Sequence, residues 1–250
     1  MSILNDNSKG IKMDNTTKLT HFAEHLKQAD GLLITAGAGM SVDSGLPDFR
    51  GDQGFWKAYP PLKHLGKSFV DMATPELFYT DPKLAWGFYG LRLNAYRAVE
   101  PHQGFHLLKE WSDVLPNLKN GSFVFTSNVD GEFQKVGFKD DNVFECHGSI
   151  HWLQCLENCT QDIWSSDNFK PVVDKEYCQL INDFPTCPHC GGMARPNIFL
   201  FGDWHWKSQM QDEKEQKLMA WLKQVKNLAI IEIGAGTAVP LSLIHISEPT

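Results

Sequence analysis

An apolar run that ends in a glycine-rich loop constrains the fold of this chain most. Residues 31–35 read Gly-Leu-Leu-Ile-Thr, the length of a buried strand, and Gly37-Ala38-Gly39 follows at once. Doubly wound α/β folds bind a dinucleotide with this order of strand, glycine loop and helix, because backbone N–H groups can approach a pyrophosphate there. Val42 stands where the dehydrogenase pattern requires a third glycine. The loop alone therefore leaves phosphate binding and a plain strand-to-helix turn equally open.

Three further apolar runs predict the rest of a parallel sheet. They lie at residues 121–126, 142–146 and 228–233. Apolar spacing and composition predict helical segments at residues 19–28, 56–100, 106–114 and 212–226. The last strand leads into a second glycine turn, Gly234-Ala235-Gly236, and residues 197–201 are expected to re-enter the main sheet. The predicted fold class is α/β, a doubly wound Rossmann-like parallel sheet with a helical module at 56–100.

The composition excludes several classes of function. The 250 residues carry a formal net charge of −7 at pH 7, which argues against a broad nucleic-acid footprint. No apolar run approaches the length of about 20 residues that a membrane span requires. Residues 1–18 are polar and are interpreted as a flexible lead-in without the apolar core of a signal peptide. We therefore expect a cytoplasmic protein with no membrane partner and no direct nucleic-acid binding.

Four of the six cysteines form two closely spaced pairs. Three residues separate Cys155 from Cys159, and two separate Cys187 from Cys190. Two such pairs offer four thiolates, the ligand set of a closed tetrahedral zinc site, and such sites are structural. Cysteines of a cytoplasmic chain are metal ligands or buried thiols more often than disulfides. Residues 151–194 are therefore predicted to form a small zinc-binding module inserted in the sheet domain.

Polar residues follow the second and third predicted strands, at the edge where open α/β sheets bind ligands. Asn128 and Asp130 alternate with Val129, so both side chains are expected to point the same way. His147 comes directly after the third strand, and Gly148 leaves room beside its ring. A lone histidine is usually an ordinary surface or core residue, so the pattern by itself does not make His147 catalytic.

The glycine loop and these strand ends together resemble the sirtuins, the NAD-dependent protein deacylases. The resemblance rests on a fifteen-residue block at 37–51, on Thr126-Ser127-Asn128-Val129-Asp130 and on Cys146-His147-Gly148. It covers residues 19–240 and implies an NAD-binding domain made of residues 19–150 and 195–240. It also implies one structural zinc per chain and an acyl-lysine protein or peptide as the partner.

The resemblance further implies roles for single residues. His147, the histidine of the His-Gly motif, would be the general base, and Asn128 would orient the ribose or a water. Asp130 would accept a hydrogen bond from the nicotinamide carboxamide, and Phe49 would shield the reactive ribose carbon from water. The residues expected to bind NAD are Gly37, Ala38, Gly39, Ser41, Leu46, Asp48, Phe49, Arg50, Ser127, Asn128, Asp130, Gly234 and Gly236.

Several positions depart from the family pattern. Ser127 replaces a glutamine that reaches the ribose hydroxyls, which predicts weaker cofactor binding, a lower rate or a substitute side chain. Residues 195–203 resemble the segment beside which a substrate peptide adds as a strand, with Asp203 in place of glutamate. Trp204 and Trp206 either line the acyl-lysine tunnel or pack the domain junction. The tail at 241–250 resembles a translated sequencing adapter and is interpreted as non-native, so the chain as given is expected to fold poorly and to be inactive.

The function that the resemblance implies is transfer of an acyl group from lysine to ADP-ribose with release of nicotinamide. One alternative is an NAD glycohydrolase or ADP-ribosyltransferase on the same fold, and another is a non-catalytic module that binds acyl-peptides. The four cysteines favour the deacylase, because the NAD-consuming defence proteins of this fold commonly lack them.

Overall fold

The computed structural model describes residues 14–47 and 51–235, with residues 51–53 described by their backbone alone. The predicted site residues Asp48, Phe49, Arg50 and Gly236 lie outside the described residues, and so does the tail at 241–250 that is interpreted as non-native. Within the described part, no helix combines the length and the apolar character needed to cross a bilayer.

The chain alternates strands and helices, with a cluster of short strands in its third quarter. The strands are β1 (Gly31–Ala36), β2 (Ser122–Thr126), β3 (Val143–Glu145), β4 (Gly148–Cys155), β5 (Ile163–Ser165), β6 (Val173–Asp174), β7 (Gln179–Leu180), β8 (Ala194–Ile198) and β9 (Leu228–Ile233). The α-helices are α1 (Asn15–Gln28), α2 (Gly51–Ala58), α3 (Pro60–His64), α4 (Phe69–Met72), α5 (Glu76–Thr80), α6 (Pro82–Ala98), α7 (Gln103–Val114), α8 (Glu132–Lys135) and α9 (Gln209–Leu222). Short 3-10 helices cover Ala38–Ser44 and Asp140–Asn142.

The main sheet is parallel and has the strand order β3-β2-β1-β9. Ile34 of β1 lies between Val124 of β2 and Ile231 of β9, so β1 is central. All four strands predicted from the apolar runs are confirmed. Because the strands are parallel, the residues that follow β1, β2, β3 and β9 gather at one edge of the sheet.

Helices cover both faces of this sheet, which confirms the doubly wound class. Leu32 and Ile34 of β1 enter a core that includes Phe105 of α7, whereas Leu33 enters a second core with Trp221 of α9. Successive side chains of a strand point to opposite faces, so a central strand with helices on both sides is apolar throughout. Full burial of each large side chain stabilises the fold by about 1.5–3 kcal/mol.

A second, antiparallel sheet has the order β5-β4-β8. The expectation that residues 197–201 re-enter the main sheet is wrong, because β8 pairs with β4 and not with a strand of the main sheet. Cys155 ends β4, and the pair Cys187 and Cys190 precedes β8. The two cysteine pairs lie together, and this brings β8 back alongside β4.

The helical module packs on this small sheet and shares a core with it. The central helix α6 is buried along most of its length. The Nε1–H of Trp86 donates to the carbonyl oxygen of Ala194 at 3.0 Å, and its ring lies 4.9 Å from that of Phe169. Leu153 of β4 and Ile198 of β8 belong to the same core.

Apolar spacing predicts the starts of α1 and α7 too late in the chain, because capping residues determine where these helices begin. The Asp14 side chain accepts from the backbone N–H of Thr17 at 2.7 Å, so α1 begins at Asn15 and not at residue 19. The ring of His102 caps α7 in the same way by accepting from the N–H of Gly104. A side-chain acceptor at an N-cap satisfies one of the free N–H groups of the first turn.

Candidate active site

The first glycine loop continues as a 3-10 helix, Ala38–Ser44, in place of the α-helix that the dinucleotide pattern predicts. It ends at Gly45 in the left-handed region, with φ of 94°. A Cβ placed on Gly45 would meet nothing within 4 Å, so this glycine serves the backbone conformation and not a close contact.

The two glycine turns pack directly against each other. Gly37 N–H donates to the carbonyl of Ile233 at 3.1 Å, and Gly39 N–H donates to that of Gly234 at 3.0 Å. A Cβ on Gly37 would lie 2.8 Å from the Gly234 oxygen, and one on Gly234 would lie 2.0 Å from the Met40 nitrogen. These glycines therefore allow the close approach of the ends of β1 and β9, and the Gly37 and Gly39 amides are already bonded within the protein.

A buried polar cluster joins the first loop to the end of β2. The Ser41 hydroxyl donates to Asp130 Oδ2 at 2.7 Å, and Asn128 Nδ2 donates to Ser41 Oγ at 3.2 Å. Asn128 Nδ2 also lies 3.2 Å from the carbonyl oxygen of Gly37. Asn128 and Asp130 thus meet the same serine, as their spacing around Val129 predicts.

The carboxyl group of Asp130 is held inside the protein by donors. Burial raises the pKa of Asp130, while hydrogen bonds from the Ser41 hydroxyl and the Glu132 N–H oppose this shift. The Glu132 N–H lies 3.1 Å from Oδ1. Each carboxylate oxygen therefore has a donor, which fixes the orientation of the group at the carboxyl end of the sheet.

His147 lies between β3 and β4 and is half-buried. Its Nδ1 is 3.2 Å from the carbonyl oxygen of Ser127, which can only accept, so Nδ1 carries the proton. Burial lowers the pKa of His147, and the bond to Ser127 only partly opposes the shift. The ring is therefore neutral near pH 7, and its Nε2 carries the lone pair that can accept a proton.

The four cysteines form one cluster, with all four Sγ atoms within 4.8 Å of one another. The Sγ atoms of Cys155 and Cys190 are 3.7 Å apart, and those of Cys159 and Cys187 are 3.5 Å apart. A tetrahedral site with Zn–S bonds of about 2.3 Å places its sulfur atoms about 3.8 Å from each other. The four thiols are therefore positioned to bind a structural zinc.

Neighbouring groups shift the pKa values of two of the thiols in opposite directions: hydrogen bonds with adjacent thiols raise the pKa of Cys159, whereas the pKa of Cys187 is lowered. Burial acts to raise the pKa of Cys187, but N–H groups of Cys190 and His189, together with adjacent thiols, bring it to about 7. A lowered pKa favours the thiolate, which is the form that binds zinc. His189 lies between two ligands in sequence, but its Nε2 pairs with Asp162 Oδ2 at 2.7 Å and it does not join the cluster.

Comparison with known proteins decides the family. The Sir2 family profile matches residues 37–239, most of the chain. The chain belongs to the Sir2 family. A solved Sir2 homologue in complex with NAD has a TM-score of 0.63 at 25% identity. The match covers 92% of this chain and 75% of the homologue's chain.

Curated Sir2 relatives share about a third of the aligned residues. The chain is 31% identical to an NAD-dependent protein deacylase of Aquifex aeolicus, over 69% of this chain and 62% of that protein. It is 35% identical to an NAD-dependent protein deacetylase of Saccharolobus solfataricus, over 72% of this chain and 64% of that protein. The chain thus spans less than two thirds of the length of these relatives.

The structure brings most of the described residues of the predicted sirtuin site to one edge of the sheet. Gly37, Ser41, Asn128 and Asp130 are joined by direct hydrogen bonds, and His147 is joined to Ser127. Leu46 is 5% exposed and belongs to the core of the helical module. Ala38 and Ser127 are half-buried.

One residue beside the sirtuin loop, His102, belongs to no motif of the sequence, so the sequence alone assigns it no role. His102 is half-buried, and its Nε2 lies 2.8 Å from the carbonyl oxygen of Met40 in the 3-10 helix. The backbone N–H of His102 donates to Ser44 Oγ at 3.0 Å. The available signal was its position as the N-cap of α7, because a capping side chain is held in place by backbone groups.

The segment that resembles the peptide-binding strand is anchored by a buried ion pair. Arg195 of β8 meets Asp203 at 2.8 Å, and both side chains are almost fully buried. Trp206 stacks on Phe199 with ring centroids 4.8 Å apart, whereas Trp204 is 94% exposed. Trp206 thus packs within the segment, and Trp204 projects into solvent.

Proposed function

We propose that this protein is an NAD-dependent protein lysine deacylase that transfers the acyl group to ADP-ribose and releases nicotinamide. The observation that carries the proposal is the bond that holds His147, a neutral ring with its lone pair on Nε2, to Ser127, the residue next to the cluster of Ser41, Asn128 and Asp130. The NAD-dependent relatives and the NAD-bound Sir2 homologue support the same cofactor.

NAD supplies the ribose carbon to which the acyl oxygen of the modified lysine becomes bonded as nicotinamide leaves. Asp130, with its carboxylate fixed by Ser41 and by the Glu132 N–H, is proposed to accept from the nicotinamide carboxamide and so to orient that ring. Asn128, which is buried, orients the ribose or a water. Orientation of the two reacting groups can lower the barrier by several kcal/mol.

His147 is proposed to act after nicotinamide has left. Its Nε2 would accept the proton of a ribose hydroxyl, so that this oxygen could take the acyl group while water completes the release of the lysine amine. The Nδ1–H bond to Ser127 holds the ring in the required tautomer. A general base of this kind contributes about 10²- to 10⁴-fold to the rate.

The four cysteines are proposed to hold one structural zinc that fixes β4 and β8. Four thiolates leave no position open for a substrate, so the metal takes no part in the reaction. The proposed compartment is the cytosol, where such thiols stay reduced. The proposed partner is an acyl-lysine protein or peptide beside the 195–203 segment.

A product assay with NAD and an acetyl-lysine peptide tests the proposal, in a chain whose residues 241–250 are exchanged for the corresponding segment of a Sir2 relative, because the tail as given is expected to prevent activity. We expect acyl-ADP-ribose, deacylated peptide and nicotinamide in equal amounts, measured by mass spectrometry. Loss of NAD without peptide would instead indicate a glycohydrolase, and ADP-ribosylated protein would indicate a transferase. Peptide binding with no product would indicate a binding module.

A further inference from the structure

Two hydrogen bonds fasten the turn that follows β2 to strand β4 of the small sheet. The N–H of Ile150 donates to the carbonyl of Val129 at 3.1 Å. One residue further along, His151 Nε2 lies 2.9 Å from the carbonyl oxygen of Asp130. A carbonyl can only accept, so the Nε2 atom of His151 carries the proton and donates it to this bond.

The shape of the turn matches the histidine ring. Gly131 has φ of 76°, a conformation that residues with a Cβ rarely adopt. A Cβ placed on Gly131 would lie 3.0 Å from both Cδ2 and Nε2 of His151. The ring therefore occupies the space that the glycine leaves, and it reaches the Asp130 carbonyl through that space.

The backbone held in this way carries the two side chains proposed to orient NAD. Asn128 and Asp130 are both buried and both meet Ser41. A rotation of the Asp130 peptide group would move its carboxylate away from the Ser41 hydroxyl. The bond from His151 to the Asp130 carbonyl opposes that rotation.

We propose that His151 is a positioning residue for the nicotinamide half of the NAD site. Its Nε2–H bond to the Asp130 carbonyl holds the 128–131 turn in the geometry that binds the nicotinamide. The inference rests on the proposed function, because it assumes that Asp130 faces that part of NAD. His151 touches the turn and not the reacting atoms.

The surroundings of His151 keep its ring in the form that this role requires. Burial lowers the pKa of His151, and the nearby cations Arg97 and Lys135 act in the same direction. The bond to the Asp130 carbonyl and the Asp130 charge oppose the shift. A neutral ring has a single N–H, and in this structure the bond to Asp130 uses it.

The test compares His151→Phe with His151→Gln in the full chain. The phenylalanine fills the space without a donor, whereas the glutamine amide places an N–H near the position of Nε2. For His151→Phe we expect the KM for NAD and the inhibition constant of nicotinamide to rise about three- to tenfold, as for a lost neutral hydrogen bond. His151→Gln should recover most of both values, and ADP-ribose affinity should change less than twofold in either variant.

Trp152→Phe on the same strand is the matched control, because it alters the packing of β4 and leaves both hydrogen bonds to the turn, from Ile150 and His151, in place. It should match the wild type in both constants, and zinc content and the melting temperature check folding in every variant. The proposal is overturned if His151→Phe keeps wild-type constants. It is also overturned if His151→Phe and His151→Gln lose NAD and ADP-ribose affinity equally, which is the result for a residue that only stabilises the fold.

Direct titration with NAD separates failure of this inference from failure of the proposed function. Calorimetry measures the expected loss of NAD affinity even in a chain that makes no product. A wild-type chain that binds NAD but forms no acyl-ADP-ribose contradicts the proposed function alone. A wild-type chain that binds no NAD contradicts both.

Discussion

The Nδ1 atom of His147 lies 3.2 Å from the carbonyl oxygen of Ser127. This bond joins His147, two residues past the end of β3, to the residue that follows β2, and these two strands are neighbours in the parallel sheet. It commits the Nδ1 proton, so the lone pair of the neutral ring is on Nε2. The family motif identifies the histidine, and the fold determines which of its nitrogens can act as a base.

The pH dependence of the reaction should reflect the burial of His147. Burial lowers its pKa below the ordinary value of about 6.5, so the ring stays neutral at pH 7. Activity should therefore be level from pH 8 to pH 7 and fall only as the pH drops through the lowered pKa. A profile of kcat between pH 5 and pH 8 measures this, and an acid limb centred above pH 7 would contradict the assignment of the base.

The contact between the two glycine turns predicts that Gly234→Ala is strongly destabilising. The left-handed φ of 64° costs about 1–2 kcal/mol for a residue with a Cβ. The new Cβ would also lie 2.0 Å from the Met40 nitrogen, and such overpacking costs about 1–3 kcal/mol more. Denaturant unfolding should show the sum of these two costs as a loss of unfolding free energy, and titration should show weaker NAD binding.

Gly66→Ala is the matched control for this substitution. Gly66 has φ of 63°, but a Cβ there would meet nothing within 4 Å. It should show only the conformational cost of about 1–2 kcal/mol, with NAD affinity unchanged. Equal losses in the two variants would show that the turns do not need their close approach.

The cysteine cluster predicts one zinc per chain and a fold that depends on it. Cys187→Ser should lose the metal and unfold, because binding of a structural zinc contributes about 10–16 kcal/mol, as much as the whole stability of a typical domain. Cys178→Ala, a buried cysteine outside the cluster, should keep one zinc and remain folded. Metal analysis and circular dichroism check both variants, and a folded wild-type protein without zinc would exclude the metal site.

The sequence predicts the main sheet well because its central strands are buried on both faces. Such strands are continuous apolar runs, and the runs at 31–35 and 121–126 correspond closely to the two central strands, β1 and β2. The cysteine cluster is predictable for a similar reason, since metal-ligand spacing is a local pattern. These features depend on near neighbours in the chain.

The features that the sequence does not reveal depend on distant contacts. Strand β8 pairs with β4 in the small sheet, next to the point where the two cysteine pairs meet in space, although the apolar run at 197–201 suits the main sheet equally well. The bonds of His102 to the 3-10 helix and of His151 to the Asp130 carbonyl link residues on different elements. No local periodicity distinguishes these two histidines from the exposed ones.

The most direct test of the account measures two steps of the reaction in His147→Asn. The asparagine amide keeps a donor near the Nδ1 position for the Ser127 carbonyl but has no base where Nε2 lies. We predict that the variant still exchanges labelled nicotinamide into NAD in the presence of an acetyl-lysine peptide, because no base is needed until nicotinamide has left. Its formation of acyl-ADP-ribose should fall about 10²- to 10⁴-fold. Formation of acyl-ADP-ribose at close to the wild-type rate would contradict the role of His147 as the base.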